Sequence, residues 1–169
     1  MIRPALKRDA TEVTALWNTM ISETDVTFTT DLKVRADVEA MIADPVRSFL
    51  VAEHKGAFAG FAMLGPFRSG PGYAQTVEHS VYLMPNAKSK GLGRSLMDVL
   101  TKAVLELGHH VMVGAISGTN SAAVGFHQRL GFEQVGLMPQ VGQKNGVWHD
   151  LVLMQKIMET PADTLERKG

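Results

Sequence analysis

The order of hydrophobic patterns predicts an α/β fold built on one mixed sheet. Three observations lead there. Strand and helix patterns follow one another as β-α-α-β-β-β-α-β-α-β-β. Two short glycine turns, Lys55-Gly56 and Asn145-Gly146, join neighbouring strand patterns as hairpins. His110 to Ile116 is a nearly continuous apolar run, as a strand shows when both of its faces are covered. With 169 residues and 45% apolar content, the chain is long enough for one well-packed domain and short for two. That domain is expected over residues 1–158, followed by a polar tail at 159–169.

Ile2 to Ala5 reads as a first strand, and Val13, Leu16, Trp17 and Met20 repeat at helical spacing after Arg8-Asp9-Ala10. Thr24 to Thr30 is a polar, β-branched segment centred on Phe28. A second helix over Val34 to Ile42 stops before Pro45, which disfavours helix in the residue ahead of it. Strands follow at Ser48 to Glu53 and Ala57 to Leu64. The run Gly65 to Gly72 is too rich in Gly and Pro for regular structure and predicts a surface loop. Thr76 to Leu83 is a strand, and Leu92, Leu96, Val99, Leu100, Ala103 and Leu107 mark one face of a long helix that Gly108 ends. After the apolar strand, Asn120 to Leu130 is a short helix closed by Gly131. Phe132 to Pro139 and Val147 to Met158 are the last strands.

Composition narrows the functions available. Acidic and basic side chains number 17 each, so there is no surplus field for nucleic acid or an anionic membrane. No cysteine is present, which removes disulfides, thiolate nucleophiles and Cys-based metal sites and suits a reducing compartment. The six histidines show no ligand spacing, so no metal is expected. No apolar run approaches the roughly 18 residues of a spanning helix, and a cytoplasmic protein is the expectation.

The run Lys88-Ser89-Lys90-Gly91-Leu92-Gly93-Arg94 joins a strand to a helix and has the composition of a pyrophosphate cradle. Glycine lets the backbone approach an anion, successive N–H groups can point at it, and the helix N-terminus and basic side chains supply positive charge. A Walker loop is excluded because the Gly-x-x-x-x-Gly-Lys-Ser/Thr spacing is absent. A dinucleotide fingerprint is excluded because its third glycine position holds Leu96. A glycine-softened helix start on a solvated basic face is the bland alternative.

Lys88-x-x-Gly91-x-Gly93 resembles the coenzyme A loop of the GNAT acyltransferases, written Arg/Gln-x-x-Gly-x-Gly/Ala, with Lys88 a departure at the first position. The segment Asn120 to Phe132, ending Leu130-Gly131-Phe132, resembles a second segment of that family. The resemblance covers the chain to about Met158. It implies the GNAT fold, a mixed central sheet flanked by helices in which the strands Thr76 to Leu83 and His110 to Ile116 splay apart at the acetyl-CoA site. It implies cofactor contacts from Val81, Tyr82 and Leu83 on the strand, from Ser89, Lys90, Gly91, Leu92, Gly93 and Arg94 on the loop, and from Asn120. Asn120 as a plain N-cap is the alternative. His127 stands where the family has a Tyr that protonates the departing thiolate; imidazole can fill that role, and a solvent-facing helical histidine is the rival reading.

Thr76-Val77-Glu78-His79-Ser80-Val81-Tyr82, His109-His110-Val111-Met112-Val113 and Trp148-x-Asp150 resemble the phosphinothricin and methionine sulfone/sulfoximine N-acetyltransferases within that family. The implied reaction moves the acetyl group of acetyl-CoA to the α-amine of a small amino-acid-like acceptor. Arg68, Ser69 and Gly70, with Glu78, His79 and Ser80, then line the acceptor site. Arg68 grips an anionic group and Glu78 takes the ammonium proton, while a buried structural carboxylate is the alternative for Glu78. Phe28, Tyr73 and Trp148 are candidate apolar walls. The absence of cysteine excludes a Cys acyl-enzyme and favours direct transfer in a ternary complex. A homodimer is implied by the resemblance alone. Other amine acceptors on the same fold (a protein N-terminus, a polyamine, an aminoglycoside) and a coenzyme A binding module without turnover are the alternatives.

Overall fold

A computed structural model describes residues 1–158; the expected polar tail at 159–169 lies outside the described residues. In chain order the elements are β1 (Ile2–Pro4), α1 (Ala10–Glu23), α2 (Arg35–Ala43), β2 (Phe49–His54), β3 (Ala57–Pro66), β4 (Thr76–Leu83), α3 (Leu92–Glu106), β5 (Val111–Ser117), α4 (Ser121–Arg129), β6 (Glu133–Lys144) and β7 (Val147–Ile157). Seven strands form one sheet in the order β1-β2-β3-β4-β5-β7-β6. All neighbours pair antiparallel except β4 and β5, which run parallel because α3 carries the chain across between them.

Side-chain alternation on the central strands fills a core on each side of the sheet. Phe49, Val51, Phe61 and Met63 pack with Val13, Leu16, Trp17 and Ile21 of α1 and Val38 of α2. Their neighbours Leu50, Ala52, Ala62 and Leu64 pack on the opposite face against Leu96, Met97, Leu100 and Val104 of α3. Both faces of β2 and β3 are therefore covered, which explains their unbroken apolar sequences. A Cβ-bearing residue changes face at each step, so the two cores interlock through the same strands.

The element order matches the sequence expectation, with four local differences. β3 runs on to Pro66, so Gly65 and Pro66, expected in the loop, are held as strand by pairing with Glu78 and Val77. β6 runs on to Lys144 rather than stopping at Pro139, through an irregularity between Met138 and Gly142 where Gln140 takes a left-handed φ of 52°. His109 and His110 precede β5 rather than starting it; the His110 N–H is given to Gln75 O at 2.8 Å. α2 begins at Arg35 with Val34 as its N-cap.

β4 and β5 set up the site. Their ladder holds only Thr76↔Val111, Val77↔Met112 and Glu78↔Val113, and beyond this point the strands part. β4 remains paired to β3 as far as Gly60↔Leu83, and β5 remains paired to β7 as far as Ser117↔Leu151. The edges facing each other across the gap therefore carry backbone groups with no ladder partner, which an extended amide-bearing molecule can satisfy.

Candidate active site

A cavity of about 940 Å³ follows that gap, running from the N-terminus of α3 to the segment between α1 and α2. At one end, Ser89 and Gly91 both adopt left-handed backbone, with φ of 61° and 76°. Gly91 is the N-cap of α3, and the helical ladder begins with the Ser95 N–H to Gly91 O at 3.0 Å. The first-turn N–H groups of Leu92, Gly93 and Arg94 thus have no helical acceptor and sit at the positive end of the helix dipole. Lys88, Ser89, Gly91, Leu92, Gly93 and Arg94 all border the cavity. Lys90 does not border it, although the loop resemblance had included it: the turn that brings Ser89 and Gly91 inward leaves Lys90 exposed outside. Val81, Tyr82 and Leu83 line the cavity along the unpaired stretch of β4. A phosphate-bearing molecule with an extended amide arm fits this pairing of an anion cradle with two open strand edges.

Asn120 does two things at once. Its Oδ1 accepts the Ala123 N–H at 3.1 Å, capping α4, and the residue borders the cavity.

At the fork, successive residues of β4 face opposite ways. Ser80 and Tyr82 lie on the α1 side, where the Tyr82 ring packs at 5.3 Å from Phe61 and 6.2 Å from Trp17. Burial raises the Tyr82 phenol above its ordinary range, against the lowering effect of a hydrogen bond with Ser80. Glu78 shares that face. Its carboxyl is half-buried and burial raises its pKa above the usual carboxylate range. Among the described residues no cation pairs with it. A carboxylate of this kind is a better base than a solvated one.

His79 does not join Glu78 and Ser80 in lining one acceptor surface, as a reading of consecutive residues had it. The two-residue period of the strand sends it through to the α4 side, where 6% of its surface is exposed. There it donates Nδ1–H to Val113 O at 2.8 Å, at the point where the ladder ends, and its Nε2 lies 2.8 Å from Nε2 of His127. His127 is 4% exposed and not solvent-facing. Its Nδ1 donates to Ala123 O, one helical turn back, at 2.7 Å. Phe132 packs on both rings, 5.3 Å from His79 and 5.2 Å from His127, and the Phe126 ring meets His127 edge-on. Burial lowers the pKa of both imidazoles; with the repulsion of a charged His127 added, His79 is held down to about 3.

The acceptor-loop residues are placed elsewhere. Arg68, Ser69 and Gly70 are exposed and do not border the cavity; the Arg68 guanidinium lies over the rings of Phe67 and Tyr73, at 5.5 and 6.0 Å. Tyr73 is held in that stack and Trp148 is 57% exposed on β7, so neither walls the cavity. Phe28 does, and its ring stacks on His149 at 5.3 Å.

Two contributors were not singled out in the sequence. Gly114 lets the histidines meet: a Cβ there would stand 3.0 Å from His79 Cε1. A lone glycine inside an apolar strand is the signal that could have found it. Lys144, 4% exposed, donates its ammonium protons to Ile21 O, Thr24 O and Thr27 O at 2.6, 2.6 and 3.0 Å, tying β6 to the segment that carries Phe28. Nothing local marks that lysine. Among the described residues no cluster of three potential metal ligands occurs, and no helix is long and apolar enough to cross a membrane.

A strand fork, a left-handed turn at a helix start and a half-buried carboxylate border one cavity, and the acetyltransferase (GNAT) family model matches residues 14–132. The chain belongs to that family of acetyltransferases. It is 39% identical over 160 residues to the L-methionine sulfoximine/L-methionine sulfone acetyltransferase of Salmonella typhimurium, covering 91% of this chain and 92% of that protein. It is 33% identical over 166 residues to the phosphinothricin N-acetyltransferase of Streptomyces viridochromogenes, covering 95% and 89%. Two solved structures superpose with a TM-score of 0.90. One is an acetyltransferase from Salmonella typhimurium with its cofactor acetyl-CoA, 36% identical and covering 95% of this chain and 94% of that one. The other is a ribosomal-protein-alanine N-acetyltransferase from Brucella melitensis, 34% identical and covering 94% and 99%.

Proposed function

We propose that the chain transfers the acetyl group of acetyl-CoA directly to the α-amine of a small amino-acid-like acceptor of the methionine sulfone, methionine sulfoximine or phosphinothricin type. The observation that carries the reading is the unpaired, half-buried Glu78 on the α1 side of the fork, bordering the same cavity as the cradle and the open edges of β4 and β5. Ser89, Gly91, Leu92, Gly93 and Arg94 hold the pyrophosphate, while Val81 to Leu83 and Asn120 hold the pantetheine arm. Glu78 takes a proton from the bound ammonium, leaving a neutral amine to attack the thioester carbonyl. A strand N–H near Leu83 polarises that carbonyl. As the carbon–sulfur bond breaks, His127 supplies the proton that the sulfur needs. Ser80 and Phe28 bound the acceptor space. Arg68 reaches an anionic group of the acceptor only by leaving its stack on Phe67 and Tyr73.

The relatives' acceptors support the substrate class, and the absence of cysteine supports a ternary complex. The protein-alanine enzyme among the structural neighbours supports a second reading, a protein N-terminus as acceptor. A cytoplasmic homodimer belongs to the same proposal. Val135, Leu137, Val141, Val147 and Trp148 expose an apolar stretch on the β6–β7 hairpin that a second copy can cover.

Free-thiol release from acetyl-CoA tests the reading with methionine sulfone, methionine sulfoximine, phosphinothricin, ordinary amino acids, spermidine and an N-terminal peptide as acceptors. A signal confined to the first three is expected. Release with the peptide alone would transfer the assignment to protein N-termini.

A further inference from the structure

We infer that His79 and His127 share one proton between their Nε2 atoms, so that the pair carries a single positive charge at the fork and His79 is the positioning residue that keeps His127 protonated. This rests on the acetyl-transfer reading for its use but not for its existence, which follows from counting protons.

The pair makes three contacts. Val113 O and Ala123 O are carbonyl oxygens and can only accept, so each Nδ1 must carry a proton. The Nε2 atoms, 2.8 Å apart, need one proton between them; without it two lone pairs oppose each other. Three protons on two imidazoles make a monocation. Two neutral rings hold only two protons, and one contact of the three then becomes repulsive. A fourth proton has no acceptor, and the repulsion between two charged rings excludes it.

The surroundings neither neutralise the pair nor compete with it. β4 contributes Glu78, but on the other face of the sheet, and β5 contributes Val113 and Gly114. α4 contributes Ala123 and Phe126, and its Arg129 lends a carbonyl to Arg94 of α3 at 3.5 Å. Lys156 of β7 gives its ammonium to Leu130 O at 2.8 Å. Among the described residues no carboxylate pairs with either ring. Burial by itself pushes both imidazoles toward the neutral form, which is why their pKa values are lowered. The two carbonyls and the ring-to-ring bond, which only the monocation satisfies together, oppose that push. His79 is the ring that stays neutral and His127 the one that carries the charge beside the cavity both border.

In the reaction the charge opposes the negative charge that develops on sulfur. The electron pair of the breaking carbon–sulfur bond stays with the sulfur, the shared proton moves from His127 to it, and the pair becomes neutral. The lone pairs then face each other, and a proton from solvent restores the cation before the next turnover.

Nitrogen-15 NMR of the imidazoles in the wild-type protein at neutral pH reads the proton count without reference to activity. Both Nδ1 atoms are expected to be protonated, with one strongly deshielded proton coupled to the Nε2 pair. Two unprotonated Nε2 atoms would overturn the proposal. The kinetic arm uses His79→Asn, which keeps a donor for Val113 O but is too short for its amide oxygen to reach His127 where the His79 Nε2 stood. Its kcat is expected to fall about 10-fold or more, with the KM for acetyl-CoA nearly unchanged. The alkaline limb of the kcat profile should move down by about one pH unit, because His127 loses the partner that favours its charged form. His79→Gln, whose amide oxygen can reach His127, should recover part of both. A His79→Asn profile that superimposes on the wild type would refute the positioning role. Wild-type enzyme silent with every acceptor would refute the proposed reaction and leave the proton count to the NMR result.

Discussion

The cradle and the fork lie at opposite ends of one cavity and are built in opposite ways. The cradle is one continuous run, Lys88 to Arg94, whose chemistry resides in backbone N–H groups and two left-handed residues. The fork assembles single residues from β4, β5 and α4: Glu78 and His79, Val113 and Gly114, and His127. A binding function that relies on the backbone can be written locally. The proton handling proposed for the fork requires side chains of opposed chemistry at close range, and the strand offers this by turning Glu78 and His79 to opposite faces.

The comparison breaks most sharply if cradle and fork variants fail in the same way. Gly91→Glu, which forces a side chain into φ of 76° and adds negative charge, is expected to weaken acetyl-CoA binding by about 100-fold or more, read by calorimetry or loss of thermal stabilisation. Glu78→Gln is expected to lower kcat by about 100-fold while acetyl-CoA affinity stays near wild type. Loss of affinity in that variant would merge the two ends into one binding site. Gly114→Ala, which presses a methyl group against His79, should lower kcat by on the order of 10-fold and leave the cradle intact, as judged by acetyl-CoA KM. Lys144→Met frees the segment bearing Phe28, and the acceptor KM should rise several-fold, roughly 3- to 10-fold, with acetyl-CoA KM unmoved.

Acidity gives the smallest and most diagnostic effect. Glu78 has a raised pKa in the folded protein, so kcat/KM should fall on the acid side at a higher pH than a solvated carboxylate would give. The same shift has a consequence for stability. A raised pKa means that the folded state binds the proton more tightly, so its contribution is full below the unfolded value and is lost as pH rises through the folded one. Glu78→Gln should therefore melt slightly higher than the wild type at neutral pH, with the difference vanishing in acid. An unchanged or lower melting temperature at neutral pH would show that the ionised carboxylate has a stabilising partner.

Much of the fold was legible because each element carries its own periodicity. β2 and β3 read as strands and their partners as helices without any tertiary knowledge, and the Asn145-Gly146 turn fixed the last hairpin. The extension of β6 to Lys144 was not legible, since the residues after Pro139 carry no strand alternation and are held by pairing to β7. In the site, Glu78 and, Lys90 apart, the loop at 88–94 could be named in advance as residues that border one cavity. Arg68 could not be placed, because a loop's position depends on what its aromatic neighbours stack upon.

The sequence by itself determined the α/β order, the glycine-rich basic run at a helix start and the adjacent Glu78 and His79 on one strand. Only the tertiary structure decided that His79 leaves the acceptor face and meets His127 on the α4 side of the sheet, that Gly114 makes room for them, and that Lys144 anchors a segment more than a hundred positions earlier in the chain. The physical reason is range. Propensity, turn chemistry and helix starts act over a few residues, whereas a buried hydrogen bond between distant side chains exists only after the sheet and its helices have closed around it.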